Sequence, residues 1–321
     1  MAEMCLDFID HPSAWRAADM ADESTWTITL DDHHVDELDS ALAGVRDRPY
    51  DDIRRDDFPL PTFSKVLEDT ADILENGRGF VVLQGIPIER HEQDDVRRLF
   101  FGLSTYVGRA APQTTSGEMM LDVMVYPDNT SDRGFTHSKG LPFHSDQADI
   151  LALLCLAAPA SGGLNSVASA VSVHNHILTH HRELLGLLYK EYCYDKGEAG
   201  GDDLRYFRSQ IFGYFEGRLA CRYYSRMRLE AAPALTGIPV SPVEFAALDL
   251  FEATAADPEF RHDFMLRPGS LLLLSNTYGL HSRTPFEDGP GQHRHLLRLA
   301  LNPYQQRAFP EGFAPWREGL L

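Results

Sequence analysis

Between Phe260 and Pro303 the chain alternates apolar runs of four to six residues with the clusters Arg267-Pro268-Gly269, Glu287-Asp288-Gly289-Pro290-Gly291 and Asn302-Pro303. Runs this short, cut by Gly and Pro, read as strands joined by turns. The most apolar of them, Leu271 to Leu274, reads as a buried strand.

Upstream the periodicity changes. Residues 64–76 carry Val66, Leu67, Ala71, Ile73 and Leu74 behind Ser64 and stop at Gly77, the pattern of a capped amphipathic helix. Gly79 to Gly85 then reads as a first core strand. A second helix is expected over 92–107, because Val96, Leu99, Phe100, Leu103 and Val107 share one face and Gly108 can end it. Residues 108–143 show little periodicity, and long loops beside a rigid core often carry function. A further helix is expected over 172–189 with Ser172 as its cap, and another opens at Ser241-Pro242-Val243-Glu244, a capping box with Pro at the first helical position.

The 321 residues are 43% hydrophobic, enough for one large core. We read one elaborated domain over 61–321 preceded by an acidic, partly helical arm over 1–60 packed on it. With 29 Lys plus Arg against 48 Asp plus Glu, the formal charge of −19 repels phosphate backbones and anionic lipids, which argues against nucleic acid and membrane partners. Cys5, Cys155, Cys193 and Cys221 form no CxxC pair, so neither a zinc knuckle nor a disulfide framework is indicated. The N-terminus lacks a basic start and an apolar run, and no stretch approaches the roughly 18 apolar residues of a membrane span. A soluble, cytoplasmic protein is expected, with self-association into a homo-oligomer left open.

Leu141-Pro142-Phe143-His144-Ser145-Asp146 places an imidazole and a carboxylate two residues apart, and on an extended chain both point to one side. Alone, so short a pattern more often marks a hydrogen-bonded pair than a metal site. One more nitrogen ligand would make a facial triad that leaves half of an octahedral iron open. His281 offers it, at the end of a segment in which an apolar strand opens into a polar loop. Beyond it, Arg294 and Arg298 in Arg294-His295-Leu296-Leu297-Arg298 face the same side of a strand while Leu297 and Leu299 face the other. Two inward guanidiniums demand anions, and a forked guanidinium matches a carboxylate. An isolated arginine pair would more often be salt-bridged at the surface.

The order of Pro-Phe-His-Ser-Asp, Ser161-Gly162-Gly163-Leu164-Asn165-Ser166, Asn276-Thr277-Tyr278-Gly279-Leu280-His281 and Arg294 to Leu299 resembles the taurine dioxygenase and clavaminate synthase-like superfamily, over roughly residues 79–310. Gly79 to Gly85 and Gly108 to Gln113 are also similar to that family's opening strand and the turn after its second helix. No single motif is decisive; four in order are specific. The resemblance implies an α+β fold, a double-stranded β-helix or jelly-roll with flanking helices, in which His144, Asp146 and His281 bind Fe(II). It implies that Arg294 binds the distal carboxylate of 2-oxoglutarate, with Asn165 or Ser166 where the family often has a hydroxyl residue. Arg298 would lie nearer the primary substrate. It further implies a dioxygenase consuming O2, with 2-oxoglutarate leaving as succinate and CO2. Family members that halogenate typically have a small residue in place of Asp146, so hydroxylation is the default outcome.

The substrate expected is small and anionic or amino-acid-like, because Arg298 and the cluster Arg222, Arg226 and Arg228 offer positive charge inside an acidic protein, although within that cluster a salt-bridge role is as open as a substrate-binding one. Desaturation, epoxidation, cyclisation or demethylation would use the same metal ligands. A non-catalytic ligand-binding jelly-roll is the rival from another class, and the intact triad with Arg294 argues against it. His176 and His180 share a helix face, yet their helix reads as surface packing rather than a metal site. His293 and His295 point away from Arg294 and read as structural, Cys155 reads as core, and Glu287 and Asp288 read as part of a turn.

Overall fold

Leu271 to Leu274 are apolar without interruption because the strand they form is covered on both faces. Leu271 and Leu273 pack into one cluster, under helices, and Leu272 and Leu274 into another, between two sheets. The computed structural model describes residues 4–114, 116–126, 136–146, 148–196, 205–309 and 313.

In chain order, β1 (Thr27–Thr29) is followed by α1 (Asp32–Ala43), α2 (Phe63–Asn76), β2 (Phe80–Gln84) and α3 (Gln93–Ser104). Then come β3 (Arg109–Ala110), β4 (Met120–Val123), β5 (Leu141–His144), β6 (Ile150–Ala157), β7 (Ser161–Gly162) and β8 (Asn165–Ser169). Helices α4 (Ala170–His180) and α5 (Arg182–Leu188) lead into β9 (Glu191–Asp195), β10 (Tyr206–Gln210), β11 (Phe212–Phe215) and β12 (Arg218–Cys221). After α6 (Arg226–Thr236) and α7 (Pro242–Ala256), the chain closes with β13 (Arg261–Phe264), β14 (Leu271–Ser275), β15 (Gly279–Arg283), β16 (Phe286–Glu287) and β17 (His295–Asn302).

The large sheet has the order β1-β2-β14-β6-β17-β3, with β4 also on β17, and the small sheet has the order β13-β8-β15-β5. Period-two alternation sorts the side chains. On β6, Ile150, Ala152 and Leu154 face α1, α2 and α3, while Leu151, Leu153 and Cys155 face the small sheet. On the small sheet Val167 and Phe264 face inward, while Phe143, Ala168 and Leu280 pack outward with α4, α5 and α7. Two sheets with helices on their outer faces are the expected jelly-roll core.

Helix termini differ in detail from the local reading. The start of α2 is capped by Glu37 of α1, whose carboxylate accepts from the amides of Thr62 and Phe63 at 2.9 and 3.0 Å, not by Ser64. The expected helix over 172–189 is two helices, broken at His181, and its cap is Ser169, which accepts from the Ser172 amide at 2.9 Å. The Ser241–Glu244 capping box opens α7 as its spacing predicts.

The N-terminal arm also feeds the interior. β1 runs parallel to β2, and Trp15, Met20 and Trp26 join the cluster between the sheets. The Trp26 ring lies 4.8 Å from that of His262 and 5.3 Å from that of Phe264. Replacing Trp26 by Ala should lower the unfolding free energy by about 3–5 kcal/mol. Urea denaturation measures this, and a loss below about 1 kcal/mol would show that the arm adds little to the core.

Candidate metal centre

His144 and His281 are directly opposite one another across β5 and β15, and Val167 is opposite His281 across β8 and β15. Opposed residues share a face, so both imidazoles point to the interior side that Val167 occupies. Their ring centroids are 4.2 Å apart. Nε2 of His144 lies 3.8 Å from one carboxylate oxygen of Asp146 and Nε2 of His281 lies 3.6 Å from the other. One ligand atom from each residue can be chosen so that all lie within 4.8 Å of one another, and no other group of three among the described residues does so. His176 and His180, 4.7 Å apart ring to ring, belong to no such group.

Protonation suits a cation. The Pro142 carbonyl accepts at 2.8 Å from Nδ1 of His144, which leaves Nε2 with its lone pair toward the centre. Burial, with His281 beside it, pushes His144 down to about 4, so the ring is neutral at neutral pH. For Asp146 burial acts upward, but the guanidinium of Arg298 and the two imidazoles outweigh it and hold the carboxyl well below the usual range. Nη2 of Arg298 is 2.9 Å from Asp146 Oδ2. Two imidazoles and one carboxylate, clustered on one side, are the donor set of an Fe(II) facial triad, so the residues fit that ion.

The turn carrying Asp146 is held from behind. Asn276 accepts from the Asp146 amide at 3.1 Å, and Arg222 donates from Nη1 to the carbonyls of Asp146 and Ala148 at 2.9 and 2.7 Å. Nη2 of Arg222 pairs with Asp149 at 2.8 Å, and both side chains are buried. Ala148 sits at φ 63°, a left-handed conformation that such anchoring must sustain. A Cβ on nearby Gly279 would lie 2.4 Å from a Leu274 methyl carbon and 3.0 Å from the Ser275 carbonyl oxygen, so a larger residue there would displace the buried Leu274 side chain.

Arg222, expected to offer charge to a substrate, is thus committed to the backbone of the Asp146 turn. Arg226, expected in the same role, lies among Glu230, Asp249 and Glu252 of α6 and α7 at 2.8, 2.8 and 3.3 Å. Both guanidiniums pair with acidic side chains of the protein itself. Asn276 is a positioning residue that no local signal distinguishes from an ordinary loop Asn.

Arg294 is 4% exposed, and its Nη1 has no hydrogen-bond partner. Its amide donates to Asp288 at 2.8 Å, which fixes the backbone just ahead of β17. The side chain passes over the Gly162-Gly163 turn, where a Cβ on Gly163 would meet Cδ of Arg294 at 3.7 Å. Burial pushes this guanidinium down to about 10. Asn165, just beyond that turn, is opposite Arg283, two residues along from His281 on the same face, while Ser166 is opposite Ser282 on the other face. His295 faces outward and pairs with Asp122 at 2.7 Å. Cys155 is buried, with its thiol 3.5 Å from the Leu266 carbonyl.

A jelly-roll with a His, Asp and His cluster at one end and a buried arginine beyond it defines a non-haem iron oxygenase fold. The chain belongs to the family described as "Taurine catabolism dioxygenase TauD, TfdA family", whose model matches residues 46–300. It is therefore an Fe(II)/2-oxoglutarate-dependent oxygenase that uses O2. It is 32% identical to FR-33289 synthase of Streptomyces rubellomurinus over 100% of this chain and 98% of that one. It is 26% identical to the taurine hydroxylase-like protein SAT17 of Stachybotrys chartarum over 89% of this chain and 77% of that one. Asparagine oxygenase, crystallised with Fe(II), 3-hydroxyasparagine and succinate, shares the fold at a TM-score of 0.68 and 17% identity, covering 86% of this chain and 93% of that one. The non-heme iron oxygenase OrfP, crystallised with Fe and α-ketoglutaric acid, does so at 0.64 and 15% identity over 86% and 94%.

Breaking the buried Arg222–Asp149 pair with Arg222→Ala should cost about 3–5 kcal/mol of unfolding free energy, because a carboxylate and two carbonyls lose their donor. Arg226→Ala, in a more exposed network, should cost about 1 kcal/mol. Chemical denaturation of the two variants side by side measures the contrast; equal losses would contradict the assignment of Arg222 to the Asp146 turn.

Proposed function

We propose that His144, Asp146 and His281 hold Fe(II) in this enzyme, and that it hydroxylates a small anionic or amino-acid-like metabolite. The observation that carries this is the convergence of three ligand side chains, with a buried Arg294 just ahead of β17 whose Nη1 has no hydrogen-bond partner among the described residues. Bound iron and 2-oxoglutarate supply the oxidising chemistry, one oxygen atom of O2 entering the product and the other the succinate formed with CO2. The protein's part is placement.

Arg294 offers its free Nη1 to the distal carboxylate of 2-oxoglutarate, with Asn165 on the same face and Ser166 directed away by the register. Arg298 keeps Asp146 ionised and places a cation beside the metal ligands, where an anionic substrate group can meet it. The asparagine oxygenase and OrfP structures, solved with hydroxylated amino acids, support the substrate class. Small-molecule recognition also fits the strongly acidic composition, which disfavours nucleic acid. Four free cysteines fit a cytoplasmic setting. Among the described residues no helix is long and apolar enough to cross a membrane.

Purified protein loaded with Fe(II) should convert 2-oxoglutarate to succinate in step with oxidation of a member of an amino-acid and organic-acid panel. Asp146→Ala should reduce this turnover by about 10³-fold or more and abolish stoichiometric iron binding. Wild-type protein that binds neither iron nor 2-oxoglutarate would sink the proposal and favour a non-catalytic binding protein.

A further inference from the structure

Arg294 is not the only buried cation in this region. Arg283, on β15, is 5% exposed, and among the described residues no carboxylate pairs with it. Its Nη2 donates to the carbonyls of His137 and Lys139 at 2.6 and 2.5 Å, which ties the segment ahead of β5 to β15. Its Nε and Nη1 are buried without a hydrogen-bond partner. The guanidinium lies 4.8 Å from the centroid of the Phe286 ring, and that of Arg294 lies 5.3 Å from the same centroid. Asn165 is directly opposite Arg283 across the β8–β15 pair.

Two buried guanidiniums on one aromatic ring repel each other, and among the described residues neither forms a salt bridge with an acidic side chain. The tie to the carbonyls of His137 and Lys139 uses Nη2 alone and leaves Nε and Nη1 of the buried fork without a hydrogen-bond partner among the described residues. The orphaned edge of the fork calls for an anion supplied from outside. We propose that Arg283 is a second cation for the distal carboxylate of 2-oxoglutarate, sharing it with Arg294, while Nη2 keeps the 137–139 segment fastened beside His144. The inference rests on the assignment of Arg294 to that carboxylate. It makes Arg283 a binding residue with two duties, cosubstrate affinity and placement of the strand that bears a metal ligand.

The test compares 2-oxoglutarate with 2-oxovalerate, which has the same 2-oxo acid head but no distal carboxylate. Calorimetric titration of iron-loaded protein without oxygen gives both affinities, and melting of metal-free protein checks the fold. Arg283→Gln should weaken 2-oxoglutarate about tenfold or more and leave 2-oxovalerate within about twofold, as expected for loss of a charge-assisted donor. Should the Gln variant fail to fold, Arg283→Lys, which keeps the charge and one tie, is read by the same ratio. Equal losses for the two acids would reduce Arg283 to a structural clamp and overturn the inference, as would unchanged affinity for both. Wild-type protein that binds the two acids equally would instead remove the assignment of Arg294, and this inference with it.

Discussion

The structure around the centre depends on the register in which β15 lies between β5 and β8. His281 is opposite His144 on one side and Val167 on the other. A slip of one residue would send both His281 and Arg283 to the face where Leu280 packs against the helices. Leu280 and Ala168 outside and Val167 inside hold that register, since exchanging them would put a charged or imidazole group in each apolar layer. The packing of an ordinary half-buried sheet thereby aims the ligands.

Charge is arranged against the grain of the composition. The chain carries a formal −19, yet Arg283 and Arg294 are buried and, among the described residues, form no salt bridge with an acidic side chain. Such groups are costly in an empty pocket and favourable once a carboxylate enters. Arg298 differs, because its partner is Asp146 itself, and Arg222 differs again, because its partners are Asp149 and the backbone of the turn. Four buried or half-buried arginines around one centre therefore do different work, which their residue type alone does not reveal.

Much of the scaffold was legible. The Ser241–Glu244 box, the stripe of α2 and the apolar run of β14 follow from local rules, and each appears in the structure. The caps that were misplaced have a common cause: Glu37 reaches α2 from another helix, and Ser169 lies at the end of a strand. Arg283 carries no local signal, because arginine is ordinarily exposed, and Asn276, although part of the 276–281 motif, carries none for its bond to the Asp146 amide, because Asn ordinarily belongs to loops. Arg222 and Arg226 were read as available charge because their acidic partners lie 73 and, for the farther pair, 26 residues away in the chain. The tryptophans of the N-terminal arm gave no periodic signal, since single side chains inserted between sheets repeat with no period.

The sequence by itself determined the alternation of strand and helix and the same-side placement of His144 and Asp146, because those depend only on the two- and 3.6-residue periods of the backbone. Only the tertiary structure decided how His281 comes to lie opposite His144, which arginines pair with acidic side chains, and which of Asn165 and Ser166 shares a face with His281. Those outcomes depend on strand register and burial, which arise when segments more than a hundred residues apart pair and exclude water.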